Sequence, residues 1–245
     1  IYVGASGDFG FLEPTVSGNL QYVSLTDRIS DSLKQGFTHI FKTYFFKGKT
    51  YFCSTTYIFV YDGKTVDAIY LGDKKIFANF LTFICDNKIY VGSFLKGLLI
   101  LENKDLVLAP GAEVFVKKNI FSILPYNEAE GLVVTDGGLY LYNYSSGASR
   151  RVKDSDGFFD RVFEAAIPYS PIQLNSKNYG IGNVQSDWLS YIQFTKDFKP
   201  TEIVNKEIGL SSSQITYLYQ GGDSPVWCTF YDGAISRFEV NSNLK

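Results

Sequence analysis

The chain has 245 residues, with 23 Lys+Arg against 25 Asp+Glu for a formal net charge of −2, and 45% of its residues are hydrophobic against 20% charged. That balance excludes a disordered chain and argues against a domain whose task is to grip a phosphate backbone, which needs a basic face. No apolar run reaches the roughly 18 residues of a membrane span, no basic-then-apolar leader opens the chain, and the lack of methionine marks a processed form or a piece of something longer.

Aromatic residues make up 17% of the sequence, a composition that favours strands. In chain order, Ile1-Tyr2-Val3-Gly4 opens a run of predicted strands continued by FGFLEP and LQYVSL. Leu25 to Gln35 predicts a turn or two of helix, with Thr26 as its cap and Asp27 near its start. The apolar segment FTHIFKTYFF then leads to Tyr51-Phe52-Cys53-Ser54 and YIFVYDG. FLTFICDN leads to Ile89-Tyr90-Val91-Gly92 and GLLILEN, followed by an irregular outer strand within Asp105 to Lys118. NIFSILPY leads to Leu132-Val133-Val134-Thr135, GLYLYNY and ASRRVKD, where Arg150 and Arg151 read as a solvated outer strand. VFEAAIPY leads to Tyr179-Gly180-Ile181-Gly182 and WLSYIQF, and QITYLYQG to Val226-Trp227-Cys228-Thr229 and AISRFEV. Asp62-Gly63, Gly137-Gly138 and Asp232-Gly233 punctuate these runs as hairpin turns, because such pairs tolerate positive φ.

One motif therefore returns six times, anchored at Tyr2, Tyr51, Tyr90, Leu132, Gly180 and Trp227, with spacings of 49, 39, 42, 48 and 47 residues. Four short antiparallel strands every roughly 45 residues predict a β-propeller blade. A single twisted four-stranded sheet cannot bury both faces, whereas blades stacked around an axis bury them in sequence. The expected fold is all-β, a single propeller domain or propeller fragment over residues 1–245. It holds about five and a half to six four-stranded blades in a ring that is completed elsewhere to seven blades or more. The first unit lacks its inner strand and the last ends after its third.

The run Gly209-Leu210-Ser211-Ser212-Ser213-Gln214-Ile215-Thr216-Tyr217-Leu218-Tyr219, with Val226-Trp227-Cys228-Thr229 and Gly233-Ala234-Ile235-Ser236-Arg237-Phe238, resembles the two-component regulator propeller repeat. The opening Ile1 to Pro14 is similar to propeller sensors of Bacteroidetes-like signalling proteins. The resemblance implies an extracytoplasmic, periplasmic ligand-sensing propeller of a membrane-bound regulator, at the outer face of the inner membrane. It also implies a non-enzymatic role, with a small molecule such as a carbohydrate fragment as ligand. Further blades, a membrane-linked signalling domain and a homodimer are the partners it suggests, with no nucleic acid. A protein-interaction scaffold and a propeller lyase or glycosidase are the competing readings.

Candidate ligand-binding residues are Asp187 and Trp188, where an indole beside a carboxylate suits sugar stacking with hydroxyl recognition, and Tyr57, Phe94, Tyr169 and Tyr231 near strand-joining turns. Taken singly, each of these aromatic side chains is more often a packed core or rim residue than a ligand contact. A glycosidase needs two facing carboxylates, and Asp8, Glu164 and Asp187 are the first acids to inspect. No catalytic residue, metal or cofactor is expected. Asp154-Ser155-Asp156-Gly157 with Asp160 lacks the first and twelfth ligands of a calcium loop, Val152 and Phe163 standing there, and reads as a polar outer loop. Asp8-Phe9-Gly10 has none of the companions of a kinase magnesium site and reads as a turn. His39 is expected to be packed or to face the channel. Cys53, Cys85 and Cys228 sit in apolar stretches and read as buried strand thiols.

Overall fold

The structure, a computed structural model, describes residues 1–72, 81–153, 156–165, 167–183, 190–204, 214–221 and 225–239. Six antiparallel sheets form a ring, a β-propeller, and four of them have four strands among the described residues. The first sheet holds β1 (Tyr2–Gly4), β2 (Phe9–Pro14) and β3 (Leu20–Ser24). The second holds β4 (Lys42–Phe46), β5 (Lys49–Cys53), β6 (Tyr57–Tyr61) and β7 (Val66–Tyr70). The third holds β8 (Leu81–Cys85), β9 (Lys88–Ser93), β10 (Gly97–Glu102) and β11 (Asp105–Leu108). The fourth holds β12 (Ile120–Pro125), β13 (Glu130–Thr135), β14 (Gly138–Asn143) and β15 (Ser149–Arg151). The fifth holds β16 (Pro168–Gln173), β17 (Asn178–Asn183), β18 (Tyr191–Thr195) and β19 (Pro200–Val204). The sixth holds β20 (Ile215–Tyr219), β21 (Val226–Phe230) and β22 (Ile235–Phe238).

The strands read as apolar runs because both faces of the inner sheets are covered. In β6, Ile58 and Val60 pack toward the third sheet while Phe59 and Tyr61 pack toward the first. In β13, Val133 joins the cluster shared with the third sheet, and Leu132 and Val134 join the one shared with the fifth. Five clusters fill the five junctions between consecutive sheets. Tyrosine suits this position because its ring fills the junction and its hydroxyl reaches a backbone carbonyl across it. Tyr44 donates to Thr82 O at 2.7 Å, Tyr142 to Pro110 O at 2.8 Å and Tyr179 to Pro125 O at 2.8 Å. Alternation also exposes what the terminal sheets leave uncovered. Tyr217, Tyr219, Trp227 and Ile235, on the side of the sixth sheet away from the fifth, are 53%, 57%, 45% and 66% exposed.

The small residue that closes the recurring four-residue motif has a packing reason. A Cβ at Gly92 would lie 3.1 Å from Cβ of Ile120, which starts the inner strand of the next sheet, and Gly4 and Gly182 face Ile40 and Ile215 in the same way. Consecutive sheets are closest at the inner radius, and glycine lets them meet there. Gly92→Val is expected to destabilise the protein by about 1–3 kcal/mol through overpacking. Denaturant unfolding checks this, and a variant as stable as the parent would mean the sheets are not in contact at that radius.

Several expectations change. Residues 25–35 fold as two short pieces, a 3-10 turn over Thr26–Arg28 and a helix α1 over Asp31–Gly36. Thr26 caps neither, because its hydroxyl is engaged with Ser24 and Asp8. The outer stretch 105–118 divides into β11 and a 3-10 turn over Ala112–Phe115. VFEAAIPY is not a single strand: helix α2 (Phe158–Ala165) takes up Val162 to Ala165, and the strand starts at Pro168. The reason is the spacing of Phe159, Val162 and Phe163, one helical stripe that packs on the cluster between the fourth and fifth sheets. Asp160, exposed beside that stripe, pairs with Arg151 at 2.8 Å. The three cysteines are buried and free, as their apolar settings predict, and burial drives the Cys53 and Cys228 thiols up to about 12 and about 11.

Candidate functional site

The inner strands surround an axial cavity of about 410 Å³. Phe41 precedes β4, which adds Lys42 and Tyr44. Leu81 comes from β8, Phe121 and Ser122 from β12, Tyr169 and Ser170 from β16, and Thr216 and Tyr217 from β20. Five sheets thus converge on one space, and no carboxylate is among the described residues that line it.

Three of these strands reach the cavity by the same device. Pairing between β12 and β13 shifts between Ile120 and Ser122, between β16 and β17 from Tyr169 to Ile172, and between β20 and β21 from Ile215 to Tyr217. The residues left out of register, Phe121, Ser170-Pro171 and Thr216, all line the cavity. A bulge adds a residue without a cross-strand partner and re-aims side chains, and bulges gather beside functional sites. Ser170 also carries a φ of 44°, in the left-handed region, and its hydroxyl accepts the backbone N–H of Leu218 at 2.8 Å. A non-glycine residue held there stores strain that the surrounding structure must hold in place. By contrast β4 and β8 pair in unbroken register with their neighbours.

Lys42 is the charged residue among those lining the cavity. Its ammonium donates to Thr82 O at 3.2 Å and stands 4.6 Å from the centroid of the Phe83 ring. Burial pulls it down from 10.5 to about 8, against a smaller opposing influence from Cys53, its cross-strand partner in β5. Tyr44, two residues on, is pushed upward by the same burial.

Of the candidates read from sequence, Tyr169 lines this cavity, 40% exposed. Tyr57 instead packs at the start of β6, with ring centroids 5.7 Å from Phe59 and 5.4 Å from Tyr70. Phe94 sits in the β9–β10 turn, where its carbonyl accepts Lys117 N–H at 2.7 Å. Tyr231 is 80% exposed in the β21–β22 turn. Asp187 and Trp188 lie outside the described residues. Among the acids, Asp8 is tied into the first sheet, accepting bonds from Phe9 N–H at 2.7 Å and Ser24 Oγ at 2.7 Å, and Glu164 is on α2. Neither lines the cavity. His39 is exposed just before β4, 5.8 Å from the Phe41 ring, and does not line the cavity. Sequence reasoning missed Lys42, Ser122, Ser170 and Tyr217. The one signal available was a lone charge inside the aromatic run Phe41 to Phe46.

No family model matches the chain, and no curated protein matches it. Among solved structures it is similar to the WD40 β-propeller domain of Doa1, at 11% identity and a TM-score of 0.65, covering 98% of this chain and 75% of that one. It is similar to virginiamycin B lyase from Staphylococcus aureus, at 8% identity and a TM-score of 0.61, covering 97% and 79%. It is also similar to PorZ, an essential surface component of the type-IX secretion system of Porphyromonas gingivalis, at 11% identity and a TM-score of 0.59, covering 98% of this chain and 32% of that one. At such identities the likeness establishes the β-propeller and nothing finer. It also corrects one expectation. A non-enzymatic role does not follow from this fold, because three structures similar to the chain are streptogramin B-type lyases, at 8–14% identity.

Proposed function

We propose that the chain is a ligand-binding propeller that takes a small ring-bearing molecule, of the carbohydrate-fragment class, in its axial cavity. The observation that carries this reading is the run of three consecutive inner strands that each break register at the cavity wall and turn Phe121, Ser170 and Thr216 toward it. Aromatic rings at Phe41, Tyr169 and Tyr217 offer apolar faces to a sugar ring, and Ser122, Ser170 and Thr216 offer hydroxyls. A sensory place for this propeller, outside the cytoplasm within a longer membrane-linked signalling chain and as a homodimer, belongs to the same proposal. The resemblance of residues 209–238 to the two-component regulator repeat supports it, and the likeness to a bacterial surface component fits it.

Tyr217 is 53% exposed, so its removal changes the cavity more than the core. Titration calorimetry with a panel of neutral and acidic mono- and disaccharides is expected to find a ligand. Tyr217→Ala is expected to weaken its binding roughly tenfold or more, as one lost stacking face does, while shifting the thermal midpoint by no more than about 2 °C. A panel that yields no binder overturns the reading.

A further inference from the structure

Among the described residues the cavity wall carries an ammonium group and no counter-charge. Among the described residues Lys42 enters no ion pair, and the bond to Thr82 O uses one of its three donors. Around that head the wall is aromatic and hydroxylic: Phe83 on β8 beside the ammonium, with Tyr44, Phe121, Tyr169 and Tyr217 lining the space. A buried cation is normally paired, since burying it alone is costly. A lysine with no counter-charge, in a wall that otherwise lacks charge among the described residues, is therefore a place where the ligand supplies the missing charge. The lysine is fixed for that task, because its stem runs between β4 and β8 and its head is held against Thr82 and Phe83.

We infer that the ligand of the axial cavity is an anion, a sugar ring bearing an oxyanion such as a carboxylate or a sulfate, and that Lys42 receives that group. The inference rests on the ligand-binding reading above and adds the charge of the ligand to it. Rings stack on the aromatic walls, hydroxyls meet Ser122, Ser170 and Thr216, and the oxyanion accepts from the ammonium, a charge-assisted bond stronger than a neutral one. Among the described residues, the titratable groups around Lys42 are Cys53, its cross-strand neighbour on β5, and the wall residues Tyr44 on β4, Tyr169 on β16 and Tyr217 on β20. Burial holds Cys53 up at about 12 and moves Tyr44 upward, whereas Lys42 loses its proton near 8. The preference for an anion is therefore greatest below about pH 8 and declines above it.

Calorimetric titration of the chain with galactose, galacturonate and galactose 6-sulfate tests this, because the three share a ring and differ in the group at one carbon. At about pH 6.5 the expected result is roughly tenfold tighter binding of at least one acidic sugar than of galactose, about what one charge-assisted bond gives. The carboxylate and sulfate arms show which oxyanion the site takes. The advantage is expected to vanish in Lys42→Met, to persist in Lys42→Arg, and to shrink in the parent chain between about pH 7 and about pH 9. Equal binding of neutral and acidic sugars by the parent chain overturns the inference and leaves the binding reading standing, as does an acidic preference that survives in Lys42→Met. Failure of all three sugars, and of the wider saccharide panel, overturns the binding reading itself. Should Lys42→Met not fold, the comparison of sugars and its pH dependence in the parent chain still decide.

Discussion

Phe59→Ala is expected to cost about 3–5 kcal/mol, the range for deleting a large buried aromatic side chain, and to lower the thermal midpoint by roughly 10 °C in a chain of this size. Phe59 is fully buried in the junction between the first and second sheets. Its ring centroid lies 4.7 Å from that of Phe9 and 4.9 Å from that of Phe37, and Phe9 in turn lies 4.7 Å from Phe52. The alanine variant loses the ring's burial and leaves a cavity that the three remaining rings, from two sheets and a connecting loop, cannot collapse to fill. Phe59→Leu keeps most of the volume and is expected to cost about 1–2 kcal/mol. Urea unfolding followed by tyrosine fluorescence and by circular dichroism measures both. A loss below about 1 kcal/mol for the alanine variant would show that the first sheet does not pack on the second as described.

Lys42→Met is expected to act in the opposite direction and raise stability at neutral pH by at most about 3 kcal/mol, which is roughly what moving a lysine from 10.5 to about 8 corresponds to before its partial exposure screens some of that cost. Methionine keeps the unbranched stem beside Phe83 and removes the buried charge. The pH dependence identifies the cause. Below about 8 the lysine is protonated in both the folded and the unfolded chain, and the folded state carries the full cost of the buried cation. Between about 8 and 10.5 the unfolded chain holds the proton more tightly, so the parent chain gains stability as pH rises. Above 10.5 the group is neutral in both states and the variant's advantage is gone. Unfolding free energies measured across that range decide the matter, and parent and variant equally stable near pH 7 would mean the ammonium is not desolvated. A substitution that stabilises the fold while removing anion binding is the pattern of a residue kept for function at the expense of stability.

The architecture was legible because its cause is local and repeated. Runs such as Tyr57 to Tyr61 are apolar at every position, which a sheet covered on one face does not need, and glycine or another small residue recurs where sheets crowd at the axis. The helix α2 was hidden by proximity. Its apolar stripe of Phe159, Val162 and Phe163 abuts the strand beginning at Pro168, and the two read as one apolar segment. The cavity was far less legible, for a geometric reason. Its walls come from Lys42 in the second sheet through Tyr217 in the sixth, brought together by ring curvature rather than by any spacing in the chain. The register breaks at Phe121, Ser170 and Thr216 depend on the backbone and leave no mark in composition. Attention to turns found Tyr169 because it stands at the mouth of an inner strand. The same attention led to Tyr57, Phe94 and Tyr231, which lie outside the cavity wall.

The five junction clusters also set how the molecule opens. With each sheet bonded within itself and packed on its neighbours, stability approximates a chain of nearest-neighbour couplings, as in other repeat proteins. The sixth sheet has one such cluster, so its amides are expected to exchange with solvent sooner than those of β9 or β13, which lie between two. Yet β20 of that same sheet forms cavity wall together with β4 of the second. A molecule seated there touches the loosest part of the ring and a firm part at once, and acts as a clasp. Occupancy then registers as slowed deuterium uptake in residues 215–219, a readout carried by the timing of opening rather than by any change of shape.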